Sequence, residues 1–308
     1  MIVSDRPPFQ SILRIIVLVV FLGWMVIGSL AGGFVAKLIY DGNFLSDVAE
    51  FSLHPTLKNP LLLMQAVGAF IGLVMIPFYY VKIIEGKDPV GFFKNDPKWL
   101  TVIPALLIAV IGVGISISPS VEWNSTIELP TWMGAFGEWA KNSEENAGEL
   151  IKFLTSDLSP LAFIFTFIVV AVLPGIGEEL VFRGLIQTEF QRAIKNHHVA
   201  IWLSAMIFSA IHLQFFGFLP RMILGAFFGY LYYWSGNLLI PMIGHFLNNG
   251  IQMVAIYLYQ NGIISMNLES PESAPLPLVA IAMIISIGLL YYLRNYFTSR
   301  STLSGDIN

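Results

Sequence analysis

The chain of 308 residues contains no cysteine, and charged residues make up only 12% of it. Without cysteine there is no disulfide framework, no thiolate metal site and no cysteine nucleophile. Soluble domains carry charge on roughly 25% of their residues, so the shortage of charge argues against a water-soluble enzyme as well as against a disordered chain. The net charge of -4 and a pI near 5.7 argue against nucleic-acid binding, which requires a basic surface. Apolar residues fill the chain instead: 56% are hydrophobic and the mean hydropathy is +0.73. These values describe a polytopic membrane protein.

A bilayer core about 30 Å thick needs roughly 20 apolar residues per helix. Eight runs qualify, at about 11–40, 61–83, 100–118, 160–190, 199–216, 219–235, 238–260 and 276–294. They predict an all-α protein of about eight transmembrane helices around a polar intramembrane cavity, with residues 1–308 forming one integral membrane domain. The first run exceeds one span and is expected to tilt or protrude. It is also too long for the apolar stretch of a secretory signal, and reads as a retained helix. The fourth contains Pro174, Gly175 and Gly177, which predict a bend or break.

The distribution of positive charge sets the orientation. With the N-terminus in the cytoplasm, that side holds 11 of the 16 lysines and arginines, and the far side holds Lys37, Lys58, Lys141, Lys152 and Arg221. An even number of spans returns the C-terminus to the cytoplasm. The longest polar stretch, about 119–158, then lies on the far side. It is read as a solvated loop with amphipathic pieces, and its Trp123, Trp132 and Trp139 suit the membrane interface.

Ionisable groups at membrane depth cost about 2.5–3.5 kcal/mol each on insertion scales, so their positions are informative. Glu178, Glu179 and Arg183 sit between two apolar runs. Glu179 and Arg183 are four apart and share a helix face, where they can pair. Glu178 is turned about 100° away and is free for another task. This arrangement pushes the pKa values of two carboxylates apart. Phe208 and His212 share a face of the fifth run, and His245 and Asn249 share a face of the seventh. Asn248 points elsewhere. The least costly way to bury a glutamate, two histidines and an asparagine from three spans is to converge them on one hydrated cavity.

The ordered trio Glu178-Glu179 with Arg183, Phe208 with His212, and His245 with Asn249 resembles the CPBP family of intramembrane proteases. This is the CAAX protease and bacteriocin-processing, or Abi, family, which includes the eukaryotic Ras-converting type II CAAX endopeptidase. Its pattern is Glu-Glu-x-x-x-Arg, Phe-x-x-x-His and His-x-x-x-Asn on successive helices. The motif-bearing region is about 160–255. The resemblance implies peptide-bond hydrolysis within the membrane. By it, Glu178 and His212 activate water, His245 and Asn249 hold the oxyanion, and Glu179 and Arg183 support Glu178. It favours a metal-free mechanism. If zinc is present, its ligands are Glu178, His212 and His245. The implied partners are membrane lipid and a membrane-associated, lipidated or CAAX-like peptide, and the implied place is the cell membrane in a bacterium.

Two other classes fit some of the same residues. Intramembrane carboxylates and histidines also serve proton relays in transporters, but no inverted repeat accompanies them here. A non-proteolytic scaffold or bacteriocin-immunity protein of the same fold need not keep all the catalytic groups. Arg221 reads as a structural pair or a substrate contact, the structural pair being favoured, His197 and His198 as solvated loop residues, and His54 as having no role.

Overall fold

A computed structural model describes residues 10, 12, 14–15, 23–40, 53–93, 97–156, 159–265 and 272–305. Most of the first expected run before residue 23, and Arg6, Lys94 and Asp157, lie outside these. Among the described residues there is no strand. The principal helices are α1 (Gly23–Ile39), α2 (Pro55–Ile84), α3 (Trp99–Ser125), α4 (Gly134–Thr155), α5 (Pro160–Ile194), α6 (His197–Ala210), α7 (Phe218–Ser235), α8 (Leu239–Gln260) and α9 (Leu276–Gly305).

Local chemistry sets several ends. Pro160 occupies the first position of α5, where its missing N–H is no loss, and the Ser159 hydroxyl accepts from the Ala162 N–H at 3.3 Å. Asn196 caps α6 by accepting from the N–H groups of His198 and Val199 at 3.0 and 3.3 Å. Lys195 (φ +58°) ends α5, and Gly236 (φ +60°) ends α7.

Six helices are long and apolar enough to cross a membrane: α2, α3, α5, the segment Phe215–Ser235, α8 and Leu276–Ser299 of α9. The apolar parts of α1 and α6 are shorter, so the expected eight spans become six long helices and two short ones among the described residues. The 14 residues of α6 reach only about 21 Å at 1.5 Å per residue. The fifth run therefore ends at Ala210, and the turn that follows lies between helices rather than inside one. His197 and His198 form the first turn of α6 rather than a loop, and both keep solvent exposure as expected; His197 stacks on Tyr233 with ring centroids 4.2 Å apart, and His198 Nδ1 is 2.7 Å from the Tyr230 hydroxyl.

Of the bend or break expected at Pro174, the break does not occur. α5 runs unbroken for 35 residues, with wider π-helical turns at Ile168–Val172 and Leu180–Gln187. Such turns absorb an irregularity without ending the helix. Thr188 closes the second one by donating its hydroxyl to the Arg183 carbonyl at 3.1 Å.

Hydrogen bonds show which helix ends share a face of the molecule. Arg14 and Arg192 both pair with Glu85, the Leu238 N–H donates to the Phe92 carbonyl, and the Lys98 N–H donates to the Tyr296 hydroxyl. Arg14, the ends of α2 and α5 and the last turns of α9 thus lie together. The opposite face holds α4 and the turn after α6, with Lys58 bonded to the Ser156 carbonyl. There Trp123, Trp132 and Trp139 are 59%, 81% and 45% exposed, as an interfacial belt requires.

One apolar core joins α3, α7 and α9 through Leu106, Phe228, Leu231 and Leu293. A second joins α2, α5 and α6 through Leu73, Phe182, Ile186 and Phe208, and it backs the polar residues of α5. α1 lies on α2 with backbone against backbone: a Cβ on Gly28 would stand 2.3 Å from the Gly68 carbonyl oxygen, whereas one on Gly114 would meet nothing within 4 Å. Alanine in place of glycine favours a helix by about 1 kcal/mol, and overpacking costs about 1–3 kcal/mol. Gly114→Ala is therefore expected to raise the midpoint of thermal unfolding in detergent, and Gly28→Ala to lower it. Equal shifts in one direction would show that α1 does not pack this closely.

Candidate functional site

The site is built on one carboxylate. Glu179, fully buried, accepts from Arg183 Nη1 at 2.7 Å and from His245 Nδ1 at 2.7 Å. It thereby ties α5 to α8. The helices approach closely because Gly175, one turn before Glu179, lies against the backbone of Phe246; a Cβ there would be 3.0 Å from its amide nitrogen. Arg183 donates its second terminal nitrogen to the Gly225 carbonyl of α7 at 2.8 Å. Its Cζ lies 4.8 Å from the Phe208 ring centre and 5.6 Å from that of Phe228, a cation–π arrangement on two faces.

Glu178 is placed differently, as its position on the helix predicts. Its side chain retains 15% exposure against 0% for Glu179, and its Oε2 is 3.9 Å from His245 Nε2. One carboxylate is locked in the protein and its neighbour is presented to the site.

The two histidines are fixed through the same ring atom. His245 gives its Nδ1–H to Glu179 and stacks on Phe228 with centroids 5.0 Å apart. His212 gives its Nδ1–H to the Phe208 carbonyl at 2.8 Å. Each Nε2 is left for chemistry. Phe208 stands between them, edge-on to His212 at 5.1 Å and to His245 at 5.9 Å. Glu178 and His245 are both close enough to His212 for their charges to interact with it.

His212 is not on a helix, contrary to the sequence expectation. It lies in the turn after α6, where Leu213 has a left-handed backbone (φ +56°). Residues from elsewhere hold this turn. Asn124, at the end of α3, donates to the Phe215 carbonyl at 3.2 Å and accepts from the Leu219 N–H at 2.9 Å. The Ser209 hydroxyl donates to the Phe218 carbonyl at 2.7 Å. From α4, Glu144 accepts the Phe216 N–H at 3.1 Å. Burial pushes the Glu144 carboxyl up from its ordinary value, against the opposing pull of that N–H and of Arg221. The polar stretch 119–158 is thus more than a solvated loop.

Asn249 lies one turn beyond His245, and its amide is 3.4 Å from the Val170 carbonyl. Pro174 has no N–H to offer that carbonyl, four residues before it, and Asn249 stands in. Asn248, expected to point elsewhere, donates to Asn249 Oδ1 at 3.1 Å and orients it. Glu178, Glu179, Arg183, Phe208, His212 and His245 meet here, and Asn249, one turn along the same helix, bonds toward α5. Phe228, Gly225, Asn124 and Glu144 were not expected; a buried polar or aromatic residue outside a motif gives no local signal of what it will touch.

Of the three residues that would hold zinc if it is present, His245 Nε2 and Glu178 Oε2 stand 3.9 Å apart and His212 lies in a separate turn. Among the described residues, no three histidine, aspartate or glutamate side chains are grouped as metal ligands.

A family model described as Type II CAAX prenyl endopeptidase Rce1-like matches residues 160–251, from the start of α5 into α8, and takes in all three motifs. The chain is 27% identical over 147 residues to the "Uncharacterized protein YpbD" of Bacillus subtilis (strain 168), covering 44% of this chain and 71% of that protein. It is 34% identical over 97 residues to the "Membrane-embedded CAAX protease MroQ" of Staphylococcus aureus (strain USA300), covering 30% of this chain and 38% of that protein. No solved structure matches. The resemblance read from the motifs is thereby borne out over the segment that carries them.

Removing Glu179 leaves Arg183 buried without its anion. Breaking a buried pair in this way costs about 3–5 kcal/mol. Glu179→Ala is therefore expected to lower the unfolding midpoint in detergent far more than Glu178→Ala, which removes a partly exposed group. Equal stability of the two variants would refute the central place given to Glu179.

Proposed function

We propose that this integral membrane protein, whose residues 160–251 are a member of the Rce1-like CAAX protease family, is an intramembrane endopeptidase acting on a membrane-associated peptide or protein. The observation that carries the reading is His245 set between two adjacent carboxylates, Glu179 at 2.7 Å and Glu178 at 3.9 Å, with His212 across the Phe208 ring.

The roles follow from what each group has left to offer. Glu178 accepts a proton from water and returns it to the leaving amine, as a general base and then a general acid. His212, its Nδ1–H held by Phe208, offers a bare Nε2 that orients or deprotonates the same water. An imidazolium at His245 presents an Nε2–H to the oxyanion, and the flanking carboxylates balance its charge. Asn249 adds a donor, because its amide has two hydrogens and Val170 engages only one. Glu179 and Arg183 hold this set without entering the reaction. Donors of this kind contribute about 2.7–4 kcal/mol each.

The substrate's apolar portion has a place beside the site. A groove of about 370 Å³ lies between α5 and α8, lined by Phe167, Phe246, Gly250 and Val254 among others. Phe246 and Gly250 are turned about 100° along α8 from His245 and Asn249, so the groove adjoins the site's helix without being lined by the site residues. Both termini lie in the cytoplasm by the charge distribution, and in a bacterial host the membrane is the cell membrane.

Cleavage of a membrane substrate is expected to fall about 10²–10⁴-fold in Glu178→Ala and in His212→Ala, and about 10²–10³-fold in Asn249→Ala. The check is the appearance of new peptide termini in membranes bearing the wild-type or variant protein. Equal cleavage by Glu178→Ala would reject the reading. We also propose that no metal takes part. A zinc chelator is then expected to leave the cleavage rate unchanged, and a loss that added zinc restores would overturn this.

A further inference from the structure

Two arginines stand near the site, and the protein provides for them very differently. Arg183 has an ion pair, a backbone carbonyl and two aromatic faces. Arg221, in the first turn of α7, donates from Nη2 to Oε1 of Gln214 at 2.6 Å, an uncharged acceptor. Its Nη1 is buried and has no hydrogen-bond partner. Glu178 and Glu144 are near enough for their charges to act on Arg221, yet neither bonds to it. Glu144 is engaged with the Phe216 N–H. His212 lies within reach of the charge on Arg221 as well, so this guanidinium stands beside both groups assigned to water activation.

A guanidinium remains protonated in a protein, and a buried cation without an anion is costly. The pairing expected from the sequence is met only by an amide. Neither nearby carboxylate bonds to Arg221 Nη1, so that donor is left for an anion from outside the fold. An anionic group brought up to Glu178 is repelled by it unless a fixed cation offsets the charge, and Arg221 is placed to do so.

We propose that Arg221 anchors a carboxylate of the bound peptide, through the open donor on Nη1, while Gln214 holds Nη2 in place. The fork of a guanidinium matches the two oxygens of a carboxylate. A C-terminal carboxylate and an acidic side chain share this chemistry. That the ligand is a peptide rests on the endopeptidase reading; the vacant donor does not.

The test uses full-length Glu178→Ala protein in phosphatidylcholine nanodiscs, so that no peptide is consumed. It is titrated with three dansylated apolar hexapeptides of Ala, Leu and Phe: a free acid, its C-terminal amide, and an amide carrying one internal Glu. A carboxylate-bearing peptide is expected to bind about 10- to 100-fold more tightly than the plain amide, and the tighter of the two acids identifies the source. Adding Arg221→Gln is expected to bring that ratio to about one, with Arg221→Lys between. Equal binding of all three peptides, no binding of any, or a preference that survives Arg221→Gln overturns the anchor. The comparison among peptides needs no Arg221 variant, so a folding defect in Arg221→Gln does not remove it, and Arg221→Lys supplies a milder one. Cleavage of the same peptides by the wild-type protein separates the two proposals. Carboxylate-dependent binding without Glu178-dependent cleavage rejects the endopeptidase reading and keeps the anchor; cleavage without carboxylate preference rejects the anchor alone.

Discussion

The buried carboxylate of Glu179 is the constraint on which the rest of this structure depends. It is held within apolar helices and has no exposure, so it must be compensated inside the protein. Arg183 supplies the charge from the same helix and His245 supplies a second donor from another. Arg183 in turn needs Gly225 and the rings of Phe208 and Phe228. Following these partners outward brings α5, α6, α7 and α8 to one point. Both donors meet at Oε1, while the buried Oε2 has no hydrogen-bond partner, and the low dielectric strengthens the bonds that are made.

The same network divides labour between neighbours in sequence. Glu178 and Glu179 differ by one position on a helix, yet one is sealed and the other is partly exposed. Helical rotation makes the difference, and the glycine at 175 lets α8 come close enough for His245 to touch one carboxylate and approach the other. Both histidines spend Nδ1 on the protein and keep Nε2 for the site. Each Nε2 is therefore the ring nitrogen left over, because Nδ1 is engaged by the protein.

Membrane-facing and site-facing requirements meet in the turn after α6. A helix of 14 residues is too short for the hydrocarbon core, and the irregular backbone that follows it is tolerable only where protein satisfies its polar groups. Asn124, Ser209 and Glu144 do so. α4 thus belongs to the machinery that positions His212, although it lies outside the membrane spans and outside the motif-bearing segment.

Hydropathy and spacing along the chain were enough to determine the all-helical class, the apolar runs, the pairing of Glu179 with Arg183 and the separate status of Glu178. Each is a local property: an apolar run is read from consecutive residues, and a shared helix face from residues four apart. Tertiary structure alone decided that α5 passes Pro174 unbroken, that His212 leaves its helix, that Glu179 rather than Glu178 holds His245, and that Arg221 bonds an amide rather than a carboxylate. These outcomes turn on contacts between residues distant in the chain. A π turn, an asparagine covering the carbonyl that Pro174 leaves, or a guanidinium with a vacant donor exists only once the neighbouring helix is in place.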